Sequence, residues 1–240
     1  MRAFFASTLL VAVLFAAGCG GGSGGGSTTG GGTPSGEAAK SATQVLADGV
    51  KAANAASSVH MSGQLSQAGK QIGIDLSIAK GKGATGSLTI GGAKVDIVLV
   101  GGFGYLRGGS TFWKQFGGAN GSAIAQLLTN KWLKFPENNA QFGSLTSVAN
   151  ASALFHSLQS SHGKIANQGA TTYKGQSVIA LVDTTRGGTL YIAASGTPYP
   201  VAIVKTKSGN AGAITFDRWG QSVTLAAPKG AIDFSHLGSG

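Results

Sequence analysis

Between Val59 and Val100 the chain alternates apolar and polar side chains with a period of two: Ile72, Ile74, Leu76 and Ile78 are separated by Gly73, Asp75 and Ser77. Val59, Met61 and Leu65 alternate with His60, Ser62 and Gln64 in the same way, and residues 87–90 and 94–100 repeat the pattern. Only an extended strand puts residues i, i+2 and i+4 on one side, so these are consecutive strands with one apolar and one polar face. Gly69-Lys70 and Gly81-Lys82-Gly83 punctuate them, and Gly91-Gly92 has the composition of a two-residue hairpin turn. A sheet of this kind must cover its apolar face.

Covering elements are predicted on both sides of it. Residues 37–57 carry Ala38, Ala42, Val45, Leu46, Gly49, Val50 and Ala53 at helical spacing, with Ser35 in position to cap the start. After a short strand at 103–107, residues 110–116, 123–128 and 148–159 read as short helices, with a short strand inside 131–136. From Lys164 the alternation returns, with strands expected at 165–172, 175–183, 189–194, 201–207, 211–216 and 221–226. Helix, strands, helices, strands is the order of an α+β domain, here a strongly curved antiparallel β-sheet with helices over its concave face.

The N-terminus has a separate logic. Arg2 precedes an apolar run that ends in Ala16-Ala17-Gly18-Cys19, and the run is shorter than the roughly 20 residues a membrane-spanning helix needs. It fits the hydrophobic region of a secretory signal, with small residues before the only cysteine of the chain. This is the arrangement of a bacterial lipoprotein signal and its lipobox, although Ala16 stands where that motif usually carries leucine. We expect a signal peptide at 1–18 and a diacylglyceryl, palmitate-type anchor on the Cys19 thiol. A Gly/Ser/Thr-rich tether follows at 19–36, and one domain at 37–240. A lone cysteine in an exported chain has no internal disulfide partner. The protein is expected on the extracytoplasmic face of the cell envelope membrane.

Charged residues are 11% of the chain, well under the typical quarter, yet 18 Lys and Arg against 8 Asp and Glu leave a formal charge of +10. Such a field draws anionic surfaces, which for an envelope protein are lipid headgroups and acidic wall polymers. Nucleic acid conflicts with export, and the lysines form no compact run. Gly81-Lys82-Gly83-Ala84-Thr85-Gly86 fits G-x-G-x-x-G formally, but a strand pattern follows where that fingerprint requires a helix. The four histidines, His60, His156, His162 and His236, are scattered. No metal-ligand spacing, paired cysteines or clustered carboxylates occur, so neither metal nor cofactor is expected and a non-enzymatic role is favoured.

The sheet face and the lid can close into a dry core or leave a cavity. If a cavity is left, the strand residues expected to line it are Ile74, Leu76, Ile78, Leu88, Ile90, Val95, Ile97 and Leu99. From the lid, Trp113, Phe116, Leu127, Leu128, Phe155 and Leu158 would face them. Many glycines and alanines beside few bulky residues favour a loosely filled interior.

Short motifs add a resemblance. Leu190-Tyr191-Ile192, Gly196-Thr197-Pro198-Tyr199-Pro200-Val201, Ile214-Thr215-Phe216-Asp217-Arg218-Trp219-Gly220 and Ala227-Pro228 resemble the end of the LppX/LprG family of envelope lipoproteins. Ser57-Ser58-Val59-His60-Met61-Ser62-Gly63 and Trp132-Leu133-Lys134-Phe135-Pro136 fit the same pattern. The resemblance implies a LolA-like half-barrel with a hydrophobic cavity, binding of acylated lipid or glycolipid, and a part in its transport. A further partner would be an envelope transporter or wall component. The competing reading is a tethered interaction or structural module that binds an envelope protein or acidic wall polymer through its basic surface, with a filled core.

Overall fold

The computed structural model describes residues 36–67, 69–206 and 211–236. The expected signal peptide, Cys19 and the tether up to residue 35 lie outside the described residues. Gly36 and Glu37 belong to a 3-10 turn, Gly36–Ala39, rather than to a helix that starts there. The first helix, α1 (Ala42–Ala55), begins later because Ser41 forms a capping box. Its hydroxyl accepts from the Gln44 amide, and the Gln44 side chain accepts from the Ser41 amide. Val45, Leu46, Gly49, Val50 and Ala53 are its buried face, as the spacing predicts.

Five strands follow: β1 (Ser58–Gln67), β2 (Lys70–Ala79), β3 (Gly83–Ile90), β4 (Ala93–Val100) and β5 (Phe103–Gly108). Two helices, α2 (Ser110–Phe116) and α3 (Gly121–Leu128), lead to β6 (Leu133–Pro136), then α4 (Gly143–Thr146) and α5 (Ala151–Ser160). The second half contributes β7 (Ile165–Tyr173), β8 (Gln176–Asp183), β9 (Thr189–Ala193), β10 (Pro200–Lys205) and β11 (Gly212–Asp217), and a two-residue strand β12 (Ile232–Asp233).

All of these strands join one 12-stranded sheet in the order β12-β6-β5-β4-β3-β2-β1-β11-β10-β9-β8-β7, curved and unclosed. Every ladder is antiparallel except β12 with β6. The register carries the alternation through the sheet: Phe216, Met61, Leu76, Gly86, Ile97 and Leu106 stand side by side on the concave face. Gly91 and Gly92 both have positive φ, 56° and 82°, as the hairpin between Ile90 and Ala93 requires. Gly86 has φ +150°, and a Cβ there would collide with the Asp75 carbonyl on the neighbouring strand. Close approach of β2 and β3 at this point depends on its missing side chain.

The expected strand at 221–226 does not form. Both sides of β11 are already occupied, by β1 and by β10, so a hairpin partner after Asp217 has no free edge. The chain turns through Arg218, at φ +51°, and Gly220. It is held by Gly220 N–H to Ser58 O (3.0 Å) and by the Ser58 hydroxyl to Gln221 O (2.5 Å). It then crosses to the opposite edge, where β12 pairs beside Leu133 and Lys134.

The helices cover the concave face in two groups. Phe112 and Trp113 of α2 bury against β4 and β5, and α1 packs on α5 and on the β7, β9 and β10 side. Among the described residues no helix is long and apolar enough to cross a membrane.

Candidate functional site

Most apolar side chains of the concave face are packed solid, but one group is not. Leu65, Ile74, Leu190 and Ile203 from the strands, with Leu154 and Leu158 from α5, are only half-buried. Their remaining surface lines a cavity of about 750 Å³, floored by buried Leu46, Met61, Leu181, Ile214 and Phe216. The cavity exists because α5 stands off the sheet: only Phe155 of its ten residues is buried. Its mouth lies at the end of the strands marked by Ser66, Thr189 and Lys205, beside the β8–β9 turn. Apolar surface left uncovered in this way favours an apolar occupant, at about 25 cal/mol per Å² removed from water.

The rim of this mouth is ordered by Asp183. Its carboxylate accepts from the amides of Gly163 (2.7 Å), Thr185 (2.9 Å) and Arg186 (2.7 Å). These bonds, the one from Arg186 foremost, hold the Asp183 carboxyl below the usual carboxylate range, against the opposing effect of desolvation. The Arg186 guanidinium in turn donates to Ser161 O at the end of α5 (2.6 Å). The rim therefore ties the β8–β9 turn to α5.

A second cavity of about 970 Å³ opens at the other end of the strands, beside Ser58, Ala79 and Gly83. Val59, Ile78, Leu99 and Phe155 form its inner wall, and its outer wall is polar: Lys80, Lys82, Glu137, Asn138, Asn150 and Ser152. Ser147 and Asn150 line both cavities, so the two abut at the segment that joins α4 to α5. Trp219 closes part of this mouth. Its indole donates to Pro200 O (3.2 Å), and its ring stacks on Tyr199 at 4.7 Å.

The residues expected to line a cavity thus fall into separate groups. Ile74 and Leu158 border the apolar chamber, and Ile78, Leu99 and Phe155 border the second one. Leu76, Leu88, Val95, Ile97, Trp113 and Leu128 are buried in the packed core, with Ile90 and Phe116 half-buried against it. Neither cavity reaches these eight: α2 packs on β4 and β5, and α3 packs on α2. Leu127 must be corrected outright: it is 54% exposed, because Gly121, Ala125 and Leu128 form the buried side of α3 and turn it outward. Leu65, Leu154, Leu190 and Ile203, absent from the expected lining, are the ones the apolar chamber uses. Leucines at 154 and 158, one helical turn apart on a short helix with little else apolar, were the available signal.

On the convex face, His60 is 8% exposed between two carboxylates: Nδ1 lies 2.6 Å from Asp217 Oδ1 and Nε2 lies 2.8 Å from Asp75 Oδ1. Pairing of β1 with β2 and β11 assembles this trio, which sequence spacing hides. Among the described residues no group of three or more His, Cys, Asp or Glu has the geometry to hold a metal ion. Gly81 to Gly86 runs from a turn into β3, with no helix after it to receive a dinucleotide.

No protein-family model matches the chain, and no curated protein matches it. Solved structures do. The lipoprotein LppX of Mycobacterium tuberculosis superposes with a TM-score of 0.50 at 14% identity, over 77% of this chain and 98% of that one. LprF from Mycobacterium bovis gives 0.51 at 17% identity, over 82% of this chain and 99% of that one. At this identity the likeness is one of fold: the chain has the curved-sheet, LppX-like architecture that the C-terminal motifs pointed to.

Proposed function

We propose that this protein is a lipid-anchored carrier of the cell envelope, which shields the acyl chains of a lipid or glycolipid in the apolar chamber and takes part in its transport. The observation that carries the reading is the chamber itself, whose walls are half-buried leucines and isoleucines. No covalent chemistry is needed, since burial of each acyl CH₂ contributes about 0.8 kcal/mol. The fold shared with two proteins, one of them described as a lipoprotein, supports the reading. So does an N-terminus that ends its apolar run at Cys19. The tether would keep the domain at its membrane while letting it turn toward donor and acceptor.

Lipid extraction of the full-length protein from its own host, followed by mass spectrometry, tests this. A stoichiometric acylated lipid is expected. Protein that is consistently empty and takes up no lipid from vesicles would remove the proposal.

A further inference from the structure

The apolar chamber explains where acyl chains would go but leaves the second cavity, apolar on its inner wall and polar on its outer one, without a task. Lys80 and Lys82 project from the turn between β2 and β3, separated only by Gly81 at φ +69°. Neither has a carboxylate within ion-pairing distance among the described residues, as is also true of Lys205 at the opposite mouth. The Lys80 ammonium donates to the Asn54 carbonyl at the end of α1, which fixes its position at the rim. Asn138 and Ser152 of the same wall make no side-chain hydrogen bond within the described protein, so their donors are available. One acidic residue, Glu137, shares the wall.

We infer that this cavity is the headgroup site of the carried lipid and that the headgroup bears a phosphate. The inference rests on the carrier reading and specifies its ligand. Ser147 and Asn150 line both cavities, so the assignment requires an amphiphile that passes this segment, with its polar end against Lys80 and Lys82 and its chains beside Leu154 and Leu158. Charge, rather than sugar stacking, is the recognition the wall offers. The ring of Trp219, its one indole, is packed against Tyr199 at 4.7 Å and Phe155 at 5.5 Å. The opposite mouth has two cations of its own, Arg186, engaged by Ser161 O, and Lys205, so the experiment has to separate the two ends.

The test offers full-length protein an equimolar mixture of dioleoyl phosphatidic acid and dioleoylglycerol in vesicles and quantifies the lipid carried away. These probes share their chains and differ only in the phosphate. We expect the wild type to favour phosphatidic acid about tenfold, the effect of one charge-assisted contact. The Lys80→Gln/Lys82→Gln variant should load dioleoylglycerol as well as the wild type does and lose the preference, while Lys205→Gln keeps it. Dioleoylglycerol loading also reports that each variant is folded. A wild type that loads both lipids equally, a preference that survives in the double variant, or one that vanishes in Lys205→Gln overturns the headgroup assignment and leaves carriage standing. A wild type that loads neither lipid removes carriage and the headgroup site together. Excess glycerol 3-phosphate separates the two sources of the phosphate: preference retained in its presence assigns the site to a lipid, and preference abolished overturns that in favour of a free phosphate ester.

Discussion

The rings of Phe155 and Phe216 meet with centroids 5.2 Å apart, one from α5 and one from β11, and each looks into a different cavity. The pair is part of the partition between the polar and the apolar chamber. Phe155 is also the one residue of α5 that is buried, so it pins the helix to the sheet. Phe155→Ala is expected to cost about 3 kcal/mol, toward the lower end for a buried phenylalanine because a cavity already adjoins it. Urea unfolding followed by tryptophan fluorescence measures this, and a change near zero would mean that α5 is held elsewhere.

A bulky side chain in the apolar chamber should exclude the lipid without disturbing the fold. Leu158 is half-buried and faces the chamber, so Leu158→Trp has room to fit. Lipid uptake is expected to fall about tenfold with the melting temperature little changed. Leu76→Trp or Ile97→Trp would be a poor block: both residues are fully buried in the packed core, and overpacking there would unfold the sheet.

Gly86 occupies a backbone conformation that side chains rarely adopt, directly against the Asp75 carbonyl. Gly86→Ala is expected to destabilise by at least about 2 kcal/mol through strain and collision together. Ser87→Ala, at the next position in the same strand, serves as the control. Equal melting curves for the two variants would contradict a role for Gly86 in the close approach of β2 and β3.

Acid should loosen the rim of the apolar chamber. The Asp183 carboxyl is held below its ordinary value by the amides of Arg186, Gly163 and Thr185. Its contribution to stability is therefore complete above the ordinary carboxylate range and is lost as pH falls through the depressed folded value. Asp183→Asn should flatten the dependence of melting temperature on pH in that acid window and leave the slope above pH 5 or so unchanged. Parallel wild-type and variant profiles would show that the loop is held by other contacts.

Cys19→Ala is expected to release the protein from the membrane fraction, since the lone thiol is the atom that would carry the diacylglyceryl group. Fractionation with metabolic fatty-acid labelling reads both effects. A variant that stays membrane-bound would place the anchor elsewhere.

Much of the sheet could be read from period-two alternation, because Ile72, Ile74, Leu76 and Ile78 repeat a constraint that only a strand satisfies. The glycine pairs located the hairpins for a similarly local reason. What escaped was non-local. Whether residues 221–226 pair depends on β11 having a free edge, and that depends on β1, more than 150 positions away. The division of one apolar face into packed core and open chamber was equally hidden. It follows from α2, backed by α3, packing on β4 and β5 while α5 stands away from the other half. Ile74 and Leu76 occupy equivalent places in the alternation of β2, yet the first is left half-buried and the second is sealed in the core.

The ladder between β1 and β11 joins two meanders, β1 to β6 and β7 to β11, and among the described residues it is the sole strand pairing between them. His60 and Asp217, bonded across it, are 157 residues apart. A chain emerging N-terminus first can assemble the first meander early, but it has no seam to close until β11 follows. The container is thus the last thing to exist. Chains truncated before Gly212 should remain open to protease, and those that extend past Asp217 should become resistant.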